Sequence, residues 1–240
     1  MLTLDQMHEL IDTAHLDEMA AQSGCKSRIG RLSFTPDSIL ETLHERLLER
    51  KVVKLVEFGC GHGMLPRWLA QQGSAIDYLG VDRAASAVAA AQRAVPDAAF
   101  VPGDYLRFAT PRVDAIVFLD SLFHDELSFT LAHRLLSALE PRGTLFIGAT
   151  LLSEPHHQAF MRSCRTLQML GCDVTYEDWS KDIESAALAM AATWLNTRSW
   201  PPALAPLFEA EAREVVDAIG ERRFIYATLD ARIMLPPRAS

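Results

Sequence analysis

The chain has 240 residues, 49% of them hydrophobic, with a mean hydropathy of +0.06, enough for one sizeable core and too apolar for a tail-like or disordered chain. Its 23 Lys and Arg stand against 31 Asp and Glu, giving a net charge of −8 and a pI near 5.5, a balance that repels a phosphate backbone and disfavours nucleic-acid partners.

The chain opens on a helical pattern over 4–20, rich in acids where a secretion signal needs positive charge, and a turn, CKSRIGRLSF, follows it. No apolar run approaches the roughly 18–20 residues that cross a bilayer, so neither secretion nor membrane insertion is expected. From there short β-branched runs alternate with segments of three-to-four-residue apolar spacing, the pattern of strands and helices over a mostly parallel sheet. Strands are expected at 52–58, 76–81, 98–101, 113–119 and 144–150. Helices are expected at 36–50, 64–72, 84–94, 126–139 and 155–170, with Pro36 and Pro155 in first turns that tolerate a missing N–H. Five repeats of one scheme predict a doubly wound α/β sheet.

After Gly171 the scheme changes. A strand at 172–177 is followed only much later by another at 223–234, and 178–221 reads as a helical insertion carrying Trp179, Trp194, Trp200 and Phe208. Inserted segments of this length are commonly lids or binding elements, and an extra helical pair packed on the sheet is the equal alternative. The division expected is one catalytic domain: a cap helix in 1–35, a sheet built from 36–177 and 222–235, and a cap from 178–221. Cys25, Cys60, Cys164 and Cys172 form no CxxC pair and are too few to staple such a chain, so they read as free thiols and the compartment as the cytoplasm.

The most informative stretch is 52–70, VVKLVEFGCGHGMLPRWLA. An apolar strand runs into Gly59, Gly61 and Gly63, and a helix begins behind them. Glycines there allow sharp turns and close approach of a ligand, and the helix start offers free N–H groups and a positive dipole end. A dinucleotide fold wants G-x-G-x-x-G, whereas here Gly63 holds the fifth position and Met64 the sixth. With Glu57 two residues before Gly59, the segment resembles the E/D-x-G-x-G-x-G loop of class I S-adenosylmethionine-dependent methyltransferases of the small-molecule type. The resemblance extends over about 52–149, through IDYLGVD, VPGDYLRF, VDAIVFLDSLFHD and LLSALEPRGTLFIGA, with a weaker echo in RRFIYATLDARIML.

The resemblance implies a Rossmann-like sheet of seven strands with an antiparallel last strand, and S-adenosylmethionine as cofactor, leaving as S-adenosylhomocysteine. It places Glu57, Gly59, Cys60, Gly61, Asp82, Arg83, Asp104, Tyr105, Asp120 and Ser121 at the cofactor. Asp82 would take the ribose hydroxyls, Asp104 the adenine amino group, and Tyr105 would lie by the ring. Asp82 also suits the start of the following helix, and Glu57 either orients the loop, reaches the methionine ammonium or caps exposed N–H groups. Cys60 and His62 contribute backbone, and no metal is assigned because no ligand pair stands at zinc spacing.

His124, beyond the fourth strand, is the candidate base, its pKa class suiting removal of a hydroxyl or amine proton, with a hydrogen-bonded turn residue as the alternative. Arg28, Arg31, His156, His157 and the tryptophans are lesser candidates for the substrate. Acidic charge and helical caps point to a small-molecule acceptor at O, N or C, with no nucleic-acid or membrane partner and a monomer or homodimer. No NPPY-like tetrapeptide follows the fourth strand. The alternatives are an enzyme that cyclises or cleaves the cofactor's aminobutyryl arm, and a binding protein or nicotinamide-dependent dehydrogenase on the same sheet.

Overall fold

A computed structural model describes residues 35, 37–122, 126–196, 202 and 205–233. In chain order these form α1 (Asp37–Glu49), β1 (Lys54–Phe58), α2 (Met64–Gln71), β2 (Asp77–Asp82), α3 (Ala85–Ala94), β3 (Ala99–Pro102), β4 (Val113–Leu119), α4 (Phe129–Ala138), β5 (Leu139–Leu151), α5 (Glu154–Met169), β6 (Cys172–Asp178), α6 (Ser180–Asn196), α7 (Ala205–Gly220) and β7 (Ile225–Ile233). The expected helix at 4–20 and turn at 25–34, with Cys25, Arg28 and Arg31, lie outside the described residues, as do His124 and Trp200.

The seven strands form one sheet in the order β3-β2-β1-β4-β5-β7-β6. Strands β1 to β5 pair in parallel, and β7 runs antiparallel between β5 and β6. This is the expected doubly wound sheet with an antiparallel last strand. Its strands are continuous apolar runs because helices cover both faces. Leu55, Ala115, Val117 and Phe146 share one buried cluster with Ile39, Leu40, Leu43 and Leu47 of α1. Val56, Phe58, Ile116, Phe118 and Ile147 share the other with Leu131 and Leu135 of α4 and Leu167 of α5. The four α1 side chains are at most 1% exposed, and each contributes about 1.5–3 kcal/mol by leaving water.

Element boundaries follow local chemistry. Helix α4 starts at Phe129, not at Glu126, because Ser128 is its N-cap and accepts from Leu131 N at 3.3 Å. Strand β5 reaches back to Leu139, which pairs with Val113 across an irregularity, so it is longer than its apolar stretch. Pro155 stands in the first turn of α5 behind the Ser153 cap, as its ring requires.

The helical insertion is anchored at its start. Trp179 N donates to Tyr226 O at 2.8 Å, and its indole Nε1 donates to Thr228 Oγ1 at 3.1 Å. Ile183, Ala187, Ala191 and Trp194 of α6 and Phe208, Ala212, Val215 and Ala218 of α7 are buried in the cluster that holds α1. The Trp194 and Phe208 rings meet edge to face at 5.2 Å.

One buried ion pair ties α1 to the sheet. Arg50, just past α1, forks onto both carboxylate oxygens of Asp230 in β7, and its Nη1 also reaches Thr144 Oγ1 at 2.6 Å. Thr144 donates to Asp230 Oδ1 at 2.7 Å. Burial pushes the Asp230 carboxyl up, but the bonds from Arg50 and Thr144 and the charges of Arg50 and Arg46 outweigh it and hold the group below its ordinary 3.8. A depressed carboxyl supplies stability that is present above its unfolded value and lost as the pH falls through the folded one. Asp230→Ala, which strands Arg50, is expected to lower unfolding free energy by about 3–5 kcal/mol in urea denaturation at neutral pH. The difference from wild type should shrink as the pH is lowered below 3.8 through the folded carboxyl's depressed value; a gap that stays constant as the pH falls contradicts the ion-pair account.

Candidate active site

In an open parallel sheet the crevice for a ligand lies where crossovers depart in opposite directions, beyond the carboxyl ends of the central strands. Here those strands are β1 and β4, which are neighbours. The loops that follow them, 59–63 and 120–122, make the floor.

Gly59, Gly61 and Gly63 have φ of 73°, 50° and 77°, a region other L-residues rarely adopt. Gly59 has a further constraint: a Cβ there would lie 2.2 Å from Ser121 Cβ. The Ser121 hydroxyl bridges the two loops, donating to Phe58 O at 2.7 Å. Gly61 differs, because a Cβ there would meet nothing within 4 Å. The middle of the loop therefore faces open space, while its ends are pressed against protein. Cys60 points inward, with its sulfur against Gly80, and burial first, then the charges of Glu57 and Asp82, push its thiol far up. It offers backbone alone, and Cys164 and Cys172 are free and buried too.

Asp82 ends β2 and holds the loop in place. Its Oδ2 accepts from Gly61 N and its Oδ1 from Ala84 N, both at 2.9 Å. Asp82 is not the N-cap of α3, which is Ala84 without a side-chain cap bond, but its carboxylate ties the glycine loop to the residue that precedes the helix. Neighbouring Arg83 is exposed. Glu57 lies beneath the loop, 2% exposed, and accepts from the Tyr78 hydroxyl; no loop N–H reaches it among the described residues. Burial pushes its carboxyl up to about 8, opposed by the Tyr78 bond and assisted by the charge of Asp82.

Asp104 sits after β3 in a tight turn. Its Oδ1 accepts from Leu106 N at 2.9 Å, and its carbonyl accepts from Arg107 N and Phe108 N. The Tyr105 ring packs edge-on to Phe118 at 5.7 Å and Phe58 at 6.4 Å, which places the turn over the ends of β1 and β4.

Asp120, with φ of 49°, is bound on every side. Its Oδ1 accepts from Thr150 N and Oγ1, and its Oδ2 from Thr35 Oγ1 at 2.9 Å. Fully buried Thr35 also meets the Tyr226 hydroxyl at 3.0 Å. Asp120 is therefore a knot joining β4, β5, β7 and the chain entering α1.

A sulfonium nucleoside fits these residues: left-handed glycines keep side chains out of its way, Gly61 borders free space, and half-buried Asp104 keeps Oδ2 without a protein partner among the described residues. Fold and loop together resemble those of the class I S-adenosylmethionine-dependent methyltransferases. Residues 55–143 match the family described as "Methyltransferase domain". No curated protein matches the chain in sequence. Among solved structures it is similar to the [4+2]-cyclase SpnF, at 18% identity and TM-score 0.70 over 98% of both chains. It is similar to a Geobacter sulfurreducens S-adenosylmethionine-dependent methyltransferase solved with S-adenosylhomocysteine, at 16% identity, covering 91% of this chain and 98% of that one with a TM-score of 0.60. Geranyl diphosphate C-methyltransferase from Streptomyces coelicolor aligns at 14% identity, covering 82% and 80% with a TM-score of 0.61.

Sequence reasoning missed Thr35, Thr150 and Tyr226, whose meeting is purely tertiary, and also Glu211. That acid stands three residues after Phe208 and four before Val215, on the apolar stripe of α7, yet it is exposed. An acid on a buried stripe was a readable signal. The surrounding protein, then the charges of Asp120 and Glu214, raise its carboxyl to about 7.

Glu57 yields a test of the site's electrostatics. A carboxyl raised from 4.5 to about 8 in the folded state favours folding fully below 4.5, and that contribution is lost as pH rises through 8. The urea midpoint of the free protein should fall between about pH 5 and about pH 8.5. Glu57→Gln should flatten this fall and unfold later than wild type at the upper pH; a wild-type midpoint independent of pH over the range refutes a neutral buried Glu57.

Proposed function

We propose that this methyltransferase moves the methyl group of S-adenosylmethionine to an oxygen, nitrogen or carbon nucleophile of a small molecule. The observation that carries the reading is the glycine loop, left-handed at three positions, gripped by Asp82 and open to free space at Gly61. When bound, the cofactor supplies an electrophilic methyl on a positively charged sulfur.

The chain's own work is placement. Asp82 has lone pairs beyond those used by Gly61 N and Ala84 N, and these suit the ribose hydroxyls. Asp104 Oδ2 suits the adenine amino group, and the turn at Tyr105 the ring beside it. Gly59, Cys60 and Gly61 present backbone, Ser121 holds the loop they belong to, and exposed Arg83 borders the ribose side. Asp120 acts from behind as the knot that fixes the end of β4. Such an arrangement accelerates transfer by proximity, alignment and exclusion of water, with little acid–base chemistry required. His124 remains the proposed base on its position after β4.

A small acceptor is supported by the acidic charge of the chain. We include in the proposal the division into a sheet and a 178–221 cap, a monomer or homodimer, and a cytoplasmic location, for which the free buried thiols speak. Among the described residues no helix is long and apolar enough to cross a membrane.

The similarity to a [4+2]-cyclase favours one second reading, because such a cyclisation transfers no methyl group and the fold therefore hosts other outcomes. In that reading this chain cyclises or cleaves the cofactor's aminobutyryl arm. Mass spectrometry separates them. S-adenosylhomocysteine formed only with an acceptor present supports transfer, and methylthioadenosine formed from the cofactor alone supports the second reading.

The first check is calorimetric. S-adenosylmethionine and S-adenosylhomocysteine should bind and NAD should not. Asp82→Asn, which removes one acceptor oxygen and the charge, should weaken S-adenosylhomocysteine by about 1–3 kcal/mol in a folded protein. Unchanged affinity removes Asp82 from the ribose, and tight NAD binding without response to the sulfur ligands overturns the assignment.

A further inference from the structure

We propose that Arg134 of α4 is the positioning residue of the adenine subsite, acting through the turn that carries Asp104 and Tyr105. The inference rests on the reading of Asp104 given above and goes beyond it.

The chain between β3 and β4 contains no helix, so its turn must be fixed by other means. Two of them are local: Asp104 accepts from Leu106 N, and the Tyr105 ring lies against Phe58 and Phe118. These set the shape of the turn and the place of one ring, and the carbonyls of Tyr105 and Leu106 take bonds from a distant helix. Arg134 supplies both. Its Nη2 donates to Tyr105 O and its Nη1 to Leu106 O. A guanidinium is a rigid planar fork, so gripping two consecutive carbonyls fixes both the position and the tilt of that peptide unit, which a point cation cannot do.

Arg134 is itself well founded. It lies on α4, which is capped by Ser128 and seated in the core by Leu131, Ala132 and Leu135. No carboxylate pairs with it among the described residues, so its charge is spent on the two carbonyls. Its Nε is buried and unpartnered, a cost that would favour a different side chain unless the fork were needed. The link joins α4 to a turn 28 to 29 residues earlier and runs directly to the residues beside Asp104.

The experiment compares binding of S-adenosylhomocysteine with that of its 6-deamino analogue, purine replacing adenine, by calorimetry. Wild type should prefer the adenine compound by about tenfold to a hundredfold, the value of a hydrogen bond to a charged acceptor. Arg134→Ala should reduce that preference to within about threefold while leaving affinity for the deamino analogue within about threefold of wild type. Arg134→Lys, which keeps the charge and loses the fork, should behave like Arg134→Ala, and it carries the test alone if the alanine variant does not fold. A purely structural role would shift melting temperature and both affinities together, leaving the preference intact, and that result overturns the proposal. Wild type without any preference overturns the reading of Asp104 instead, and this inference with it. Full preference in wild type and in Arg134→Lys overturns only the role of Arg134.

Discussion

The site depends on how closely two chain segments pass one another just beyond the sheet. Adjacent strands stand about 4.8 Å apart, and at β1 and β4 the chain leaves both strands at the same level before the crossovers carry it in opposite directions. There is no room between the departing segments for a side chain on the first. Gly59 meets that constraint twice, by its φ of 73° and by the 2.2 Å separation that a Cβ would have from Ser121 Cβ. The Ser121 bond to Phe58 O then turns a tight contact into a fixed one. With the root of the loop pinned, Asp82 can reach Gly61 N, and the open side of Gly61 is left facing the crevice.

The acids of this acidic chain have distinct fates, and environment decides each. Asp230 is ionised because two arginines and a threonine surround it. Glu57 has only a phenol for company, so burial keeps it neutral near pH 7. Asp82 and Asp120 lie among backbone N–H groups and hydroxyls, which bind a carboxylate without cancelling its charge. A sulfonium nucleoside carries positive charge, and the chain's net charge of −8 favours its approach over that of polyanions.

Much of this was legible in the chain. The glycine alternation, Glu57, Asp82 and Asp104 follow strand ends in sequence, and their chemistry is local: a turn, a positive φ, a carboxylate within reach of nearby N–H groups. The parallel sheet was legible for the same reason, since buried strands read as continuous apolar runs. What escaped depends on distant segments meeting. Nothing near Thr35 announces that its hydroxyl joins Asp120 to Tyr226, because those partners lie 85 and 191 residues away. Arg134 looks like any surface arginine of an amphipathic helix until the turn after β3 is folded beneath it.

The insertion shares the core of the sheet. Helix α7 buries Phe208, Ala212, Val215 and Ala218 in the core beside α1, so it belongs to the fold. Its stripe nevertheless contains Glu211, three residues after Phe208 and four before Val215, and that residue is exposed. The cofactor loop and the insertion are also separate in the chain, so the substrate side can vary in sequence while the glycine loop stays bound by its steric limits. A fold with one fixed cofactor floor and a wall separate from it in the chain can host different acceptors.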